Sequence, residues 1–196
     1  LCLEATDWDV KLPVLFKNKW EKLILQLPAL DDITVTRNCF PVGDNRQVIE
    51  LHGFSDASTK AYAAAIYVRV VEEDAVHTTL LCSKSRVAPV KTQTVPRLEL
   101  LGAVLLARLM DSVIKAFSDS VSIDNIFYWS DSITVVCWIR NQRPWKQYVM
   151  RRVEEIRKLS QAAKWYHCPG VCNPADLPTR GVQADQLAES QLWWTG

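Results

Sequence analysis

Val48-Ile49-Glu50-Leu51-His52-Gly53-Phe54-Ser55-Asp56-Ala57-Ser58 is an apolar run that closes on an acid among small residues. β-Branched and aromatic residues followed by turn formers predict a strand over 48–54 that stops at Ser55-Asp56-Ala57-Ser58. Ala61 to Val71, rich in Ala, Ile, Tyr and Val, predicts a second strand, and Val76 to Ser83 a third. The acidic turn Glu72-Glu73-Asp74 separates these two, as an antiparallel hairpin requires. A long helix follows from Val95 to Phe117, with Leu98, Leu101, Leu105, Leu109 and Val113 on one face and Pro96 in its first turn. Ile126-Phe127-Tyr128-Trp129 predicts a buried strand ending at Ser130-Asp131. Helices are expected over 133–139 and 147–162, a last strand over Lys164–Cys168, and a tail helix around Ala184–Ser190. Three strands, a helix, a strand, two helices, a strand and a helix make a mixed α/β layer fold with an antiparallel start and parallel additions.

Upstream of this pattern, residues 1–45 read as a separate preface. Trp20, Leu23, Leu27 and Leu30 recur at helical spacing, with Pro13 near the start and Pro28 near the end, and a loop through Pro41, Gly43, Asp44 and Asn45 follows. The expected division is therefore a helical preface, 1–45, and an α/β domain, 46–196. The chain starts at Leu1 without Met and stops at Trp193-Trp194-Thr195-Gly196, and both ends read as boundaries of excision or processing.

The 196 residues are 48% hydrophobic and 23% charged, enough for a real core and too apolar for wholesale disorder. No apolar run approaches the ~20 residues of a membrane-spanning helix, and no secretory signal is evident. The six cysteines, Cys2, Cys39, Cys82, Cys137, Cys168 and Cys172, form no C-x-x-C pair, so reduced thiols in an intracellular protein are expected. His167, Cys168 and Cys172 lack the further ligands that a structural zinc site needs. The net charge of +1 says little about partners, but it is uneven: residues 1–50 carry 6 basic and 8 acidic side chains, residues 51–196 carry 17 and 14. Lys84, Arg86, Lys91 and Arg97 precede Glu99 without an intervening acid, and Arg140, Arg143, Lys146, Arg151 and Arg152 form a second basic stretch. Such stripes suit a phosphate backbone, although a single basic cluster is more often a solvated face.

Four acids stand out by position: Asp56 after the first strand, Glu99 early in the long helix, Asp131 after the fourth strand and Asp176 before the tail helix. Acids just past strand ends lie where α/β folds place chemistry. Converging carboxylates raise each other's pKa unless cations neutralise them, and hard oxygen donors suit Mg²⁺ or Mn²⁺. Two such ions about 4 Å apart clamp the attacking and leaving oxygens of a phosphodiester. Taken singly, each acid also fits a helix cap or a turn.

Phe54-Ser55-Asp56-Ala57-Ser58 resembles the first catalytic strand of retroelement ribonucleases H. Lys84-Ser85-Arg86-Val87-Ala88-Pro89 with Val95-Pro96-Arg97-Leu98-Glu99-Leu100 is similar to the BEL/Pao class of LTR retrotransposons. Trp129-Ser130-Asp131-Ser132 and Asn173-Pro174-Ala175-Asp176 with Arg180-Gly181 complete the set in order. The resemblance covers 48–196, and the preface, with Trp8-Asp9, looks like the connection after a reverse transcriptase. It implies a ribonuclease H-like fold, a five-stranded mixed sheet flanked by helices. It implies an endonuclease that hydrolyses the RNA strand of RNA–DNA hybrids during reverse transcription, by in-line attack of water that leaves a 3′-hydroxyl and a 5′-phosphate. Two Mg²⁺ ions, replaceable by Mn²⁺, would be held by Asp56, Glu99, Asp131 and Asp176, with Asp56 bridging. Arg86, Arg97 and Asn125 would read the hybrid's 2′-hydroxyl-bearing groove, and Trp145, Lys146, Arg151 and Arg152 would track the DNA strand's phosphates. Trp145 suits packing equally well. The implied partners are the reverse transcriptase and integrase parts of one Pol polyprotein, in a cytoplasmic virus-like particle; the isolated domain is expected to be a monomer away from membranes.

Two departures from the pattern matter. Val171 stands where many relatives carry a loop histidine, and His167 lies too early to replace it. Pro178 after Asp176 is expected to delay the tail helix. Two other readings compete: a catalytically weak or inactive connector domain, and an integrase or transposase core, whose late Glu would follow the second Asp rather than precede it.

Overall fold

The computed structural model describes residues 9–11, 13–35, 39–40, 47–73 and 75–196. Cys2, Trp8, the loop residues Pro41, Gly43, Asp44 and Asn45, and Asp74 lie outside the described residues. Residues 9–35 with 183–190 form one compact unit; 39–182 with 191–196 form the other. In the smaller unit, helix α1 (Val14–Gln26) runs into a 3₁₀ turn, Leu27–Leu30, and the Gln26 side-chain amide donates to Gln183 Oε1 at 3.0 Å. Trp20, Leu23 and Leu27 of its apolar stripe remain exposed.

The larger unit is built on β1 (Val48–Ala57), β2 (Ala61–Val71), β3 (Val76–Val87), β4 (Asn125–Ser130) and β5 (Trp165–His167), ordered β3-β2-β1-β4-β5. Tight turns join β1 to β2 and β2 to β3, so these pairs are antiparallel. Helix α2 (Val95–Phe117) carries the chain back across the sheet, so β4 lies parallel to β1; α3 (Ile133–Arg140) and α4 (Gln147–Leu159) do the same before β5. The five-stranded mixed sheet with flanking helices is the expected architecture.

Two glycines set the distance between α2 and the sheet. A Cβ at Gly102 would lie 2.8 Å from the Asp56 carbonyl oxygen, and one at Gly53 would lie 2.6 Å from Leu106 Cδ1. The helix therefore rests directly on the end of β1, with Glu99 one turn before the point of closest approach. Leu51, Leu100, Leu106, Met110, Ile139, Ile156 and Trp165 fill the space between sheet and helices with almost no exposure. Tyr128 stacks on Trp165 at 4.9 Å and closes this core under α4.

Several boundaries move. Strand β1 continues through Asp56, because Asp56 and Ala57 still pair with Ala63 and Tyr62. Strand β3 extends to Val87 past a bulge near Ile66/Tyr67, which puts Lys84 and Arg86 on a strand rather than in a loop. Helix α4 stops at Leu159, where Ser160 turns extended. Pro178 does not delay the tail: α5 (Asp176–Arg180) starts at Asp176 and holds Pro178 in its first turn, where no backbone N–H is needed. Helices α6 (Ala184–Glu189) and α7 (Gln191–Thr195) follow.

Candidate active site

The carboxylates come from four separate elements. Ser55 and Ser130 face each other across the parallel β1–β4 pair, so Asp56 and Asp131, the next residues, leave neighbouring strands side by side about 5 Å apart. Asp56 is 5% exposed. Glu99 arrives from the start of α2, and Ser132 Oγ donates to its Oε2 at 2.5 Å. Ser132 also caps α3 by accepting from the Val135 N–H, so one hydroxyl ties the acid of α2 to the strand end that carries Asp131. Asp176 opens α5 and pairs with Arg180 Nε at 2.6 Å.

Two fully buried polar residues bolt α5 to β1. Asn173 Nδ2 donates to the Ser55 carbonyl at 3.0 Å while its Oδ1 accepts from the Ala175 N–H at 3.2 Å. The Thr179 hydroxyl lies between Asp56 Oδ2 and the Asp176 carbonyl, and the Thr179 carbonyl accepts from Ser58 Oγ at 2.6 Å. Neither Asn173 nor Thr179 was singled out from the sequence as a site residue. Thr179 had a signal, since it stands one helical turn after Asp176.

All four carboxyls are pushed above the ordinary carboxylate range. Burial is the largest cause for each. Mutual repulsion adds to it: Asp131 raises Asp56 and Glu99, Asp56 raises Glu99 and Asp176, and Asp176 raises Asp131. The Thr179, Ser132 and Arg180 side chains pull the other way on Asp56, Glu99 and Asp176. Asp56 and Asp131 are the centre of this network, each coupled to the other three acids.

The donor set fits a hard divalent cation in its chemistry, and Asp131 Oδ1 is buried with no hydrogen-bond partner among the described residues. The other three acids are turned to protein partners. Among the described residues no three Asp, Glu, His or Cys side chains already converge as a metal cage. A cation would therefore share these carboxylates with Thr179, Ser132 and Arg180, each of which engages one oxygen.

Residues 1–132 match the family described as the Pao retrotransposon-like RNaseH-like domain. The chain belongs to that family. The match takes in the preface, Asp56, Glu99 and Asp131, while Asp176 lies beyond it. The comparison with curated proteins gives no match. Among solved structures, this Pao retrotransposon-like RNaseH-like domain is similar to the N-terminal RNase H domain of a Mycobacterium tuberculosis protein, at 14% identity and TM-score 0.41, covering 64% of this chain and 86% of that one. It is similar to RNase H1 of Halobacterium salinarum at 15% identity and TM-score 0.39, covering 65% and 89%. It is also similar to a foamy viral protease-reverse transcriptase solved with double-stranded DNA, at 15% identity and TM-score 0.44, covering 87% and 32%.

The basic candidates of the Pao retrotransposon-like RNaseH-like domain divide by position. Arg97 and Arg152 share the ring of Tyr148, at 4.7 Å and 3.6 Å from its centroid. Arg86, Arg151 and Arg152 line one groove. Lys146 is exposed at the start of α4, and Trp145 packs on Trp138 at 6.3 Å. Asn125 is not brought to them: it opens β4, with its amide 3.5 Å from Glu50 Oε1, and six residues of strand separate it from Asp131 by roughly 20 Å. Val171 is 87% exposed in the turn Gly170–Cys172, and His167 is exposed at the end of β5. The described cysteines are free, and no described helix is long and apolar enough to cross a membrane.

Proposed function

We propose that this domain hydrolyses the RNA strand of RNA–DNA hybrids as a divalent-cation-dependent endonuclease. What supports the reading is the adjacency of Asp56 and Asp131 at the end of the parallel β1–β4 pair and the electrostatic coupling of Glu99 and Asp176 to them. Asp56 and Asp131 would hold two Mg²⁺ or Mn²⁺ ions between them, with Glu99 and Asp176 completing one side each. When bound, the ions supply charge neutralisation and Lewis acidity at the scissile phosphate. The chain's own part is positioning. Thr179 and Asn173 hold α5 against β1, Ser132 holds Glu99 toward Asp131, and the low-dielectric strand end strengthens every charge interaction made there. The hybrid would be recognised through its shape and its 2′-hydroxyls, with Arg86, Arg97, Trp145, Lys146, Arg151 and Arg152 along its backbones. Asn125 requires a substrate that also reaches the opposite end of the sheet. We place the domain as a monomeric unit between reverse transcriptase and integrase parts of a Pol polyprotein, in a cytoplasmic particle, with residues 1–45 as the connection.

A hybrid labelled on its RNA strand, incubated with Mn²⁺, tests this reading. Cleavage that leaves 5′-phosphates and is abolished by Asp56→Asn is expected; equal cleavage of single-stranded RNA would remove the hybrid claim. The second reading, a connector domain without cleavage, draws on the three carboxylates already engaged by Thr179, Ser132 and Arg180 and on Val171 in the loop. Intact RNA with excess protein and Mn²⁺ would favour it.

A further inference from the structure

At the end of the sheet away from the acids lies a cavity of about 420 Å³. Helix α4 ends at Leu159, the chain passes through the 3₁₀ turn Ala162–Lys164 into β5, and β4 begins at Asn125. The space between the last turns of α2 and α4 and the start of β4 stays open. Its walls are aliphatic: Ile114, Ile123, Ile126 and Leu159 are half-buried and pack on the core. Tyr128 closes the inner side, with its ring stacked on Trp165 at 4.9 Å, so that side is rigid.

The rim carries charge of both signs. Asp124, Lys158 and Lys164 line the cavity, and none of them forms an ion pair among the described residues. Asp124 is fixed at the head of β4: its N–H donates to the Ile49 carbonyl at 2.9 Å, and its Oδ2 accepts from the Ile49 N–H at 2.8 Å. Its Oδ1 remains as an acceptor. Asn125 donates to Glu50 Oε1 from its amide nitrogen, which leaves the amide oxygen as a second acceptor. Arg157 is engaged by the carbonyls of Ile139 and Asn141 at 2.8 and 2.9 Å. Lys164 Nζ rests 5.3 Å from the Phe127 centroid, a contact that occupies none of its three N–H donors, and Lys158 is exposed in the last turn of α4. That turn repels anions through its carbonyls, and the two lysines reverse the sign.

Acceptors on β4, cations on α4 and on the turn before β5, and aliphatic walls together describe the ligand, since a few placed polar groups orient a molecule whose body lies against apolar walls. It needs N–H donors at one end, an anion at the other and a flat apolar body between. A fatty acid lacks the donors, and a bare phosphate lacks the body. A nucleotide has all three, because its base carries N–H groups on an edge between two π faces. We infer that this cavity binds a single nucleotide, free or at the end of a strand, with Asp124 and Asn125 accepting from the base edge and Lys158 and Lys164 holding the phosphate. Six residues of strand, roughly 20 Å, separate the site from Asp131, so it takes a nucleotide other than one at the acids and does not rest on the nuclease reading. Asn125, which the fold keeps away from the acids, gains a role here.

Calorimetry of the whole chain with adenosine 5′-monophosphate in EDTA tests the site. Saturable binding with a Kd below about 1 mM is expected. Adenosine and inorganic phosphate should each bind about tenfold more weakly or worse, because each meets only one end of the cavity. Lys158→Ala/Lys164→Ala should weaken the nucleotide by about tenfold or more, and Lys158→Arg/Lys164→Arg should keep most of the affinity. Lys60→Ala/Lys91→Ala, which removes the same charge from other exposed positions, should change nothing. A 5′-phosphorylated trinucleotide separates the two sources: tighter binding than the mononucleotide, lost in the same variant, assigns the site to a strand end, and weaker binding assigns it to the free nucleotide. Absence of saturable binding would overturn the inference, and so would an unchanged affinity in the folded double alanine variant. Inorganic phosphate or free tryptophan binding as tightly as the nucleotide would also overturn it, by making the cavity a plain anion patch or an amino-acid pocket.

Discussion

The acid end of the sheet and the arginine groove are both clusters of like charge, but different parts of the fold hold them. The carboxylates are gripped from within: buried Thr179 and Ser132 are bonded to Asp56 and Glu99 and, at the same time, to the backbone of α5 and α3. Of the guanidiniums, Arg152 and Arg108 are held at the surface, by a tyrosine ring and one partly exposed carboxylate, while Arg86 and Arg151 stand exposed. Charge in the groove is thus a surface property, screened by salt and removable with little effect on folding. Charge at the acid end is stored at the edge of the core, where Asp56 is buried and the other three acids half-buried, and where burial has lifted every carboxyl, so changing it should register in the stability of the domain.

The largest expected effect that separates the two regions follows from this storage. Asp131→Asn should reduce cleavage by about a hundredfold or more, as loss of a preorganised electrostatic group at a reacting centre does. The same change should raise the Tm of the metal-free protein at pH 7 by a few degrees, at roughly 2–4 °C per kcal/mol for a chain of this size. The native carboxyls hold protons to higher pH than the unfolded chain does, so stability is fully present below the unfolded value of about 4 and is lost as pH rises through the native values. The gain from Asp131→Asn should therefore shrink as pH falls toward 4, and Mn²⁺ should stabilise the wild type more at pH 8 than at pH 5. Thermal scans across pH check both; a Tm that falls at pH 7 would mean that repulsion is not what the cluster stores. Arg86→Ala/Arg151→Ala should show no such stability signature.

The same difference explains what was legible in the sequence. Asp56 and Asp131 could be found because each closes an apolar run, and the backbone periodicity that marks a strand also marks its end. The bounds of helix α2 were readable to the residue, but its face only in part: Leu98, Leu105 and Val113 are buried, while Leu101 and Leu109 are half-buried and the deepest positions are Leu100, Ala103, Leu106, Ala107 and Met110. Strand β3 was cut short because Lys84 and Arg86 are exposed edge-strand residues and look like a loop by composition. Thr179 and Asn173 were not legible as site residues, because their role depends on α5 lying against β1, a pairing more than a hundred residues apart in sequence. The groove is a similar case: Arg86 and Arg151 were noted in two separate basic stretches, and only the packing of α2 against α4 beside β3 puts them around one space.

A smaller effect tests how the core grips the acids. Thr179→Val keeps the shape and removes the hydroxyl that touches Asp56. Loss of an orienting partner beside a metal ligand typically costs 10–100-fold in affinity or activity, so Mn²⁺ binding measured by calorimetry should weaken by about that range. Thr179→Ser should restore it. If Val and Ser behave alike, Thr179 serves packing alone and the grip on Asp56 comes from burial.

The smallest effect is expected on the open side of the cluster. A Cβ at Gly170 would lie 3.4 Å from Asp131 Oδ2, and its neighbour Val171 is 87% exposed, so a larger side chain at 171 has room beside the acids without disturbing the core. Imidazole titrates near neutrality and can present a positive charge to Asp131, whose Oδ1 has no partner among the described residues. Val171→His is therefore expected to raise turnover on the hybrid a few-fold, or to lower the Mn²⁺ concentration needed for half-maximal rate, with unchanged Tm. The groove lining already carries four guanidiniums, so the same histidine should leave hybrid affinity in EDTA unaltered. A rate that is flat or lower over the whole Mn²⁺ titration would show that a movable cation at this turn does nothing for the acids, and that Thr179, Ser132 and Arg180 already supply the counterbalance the cluster needs.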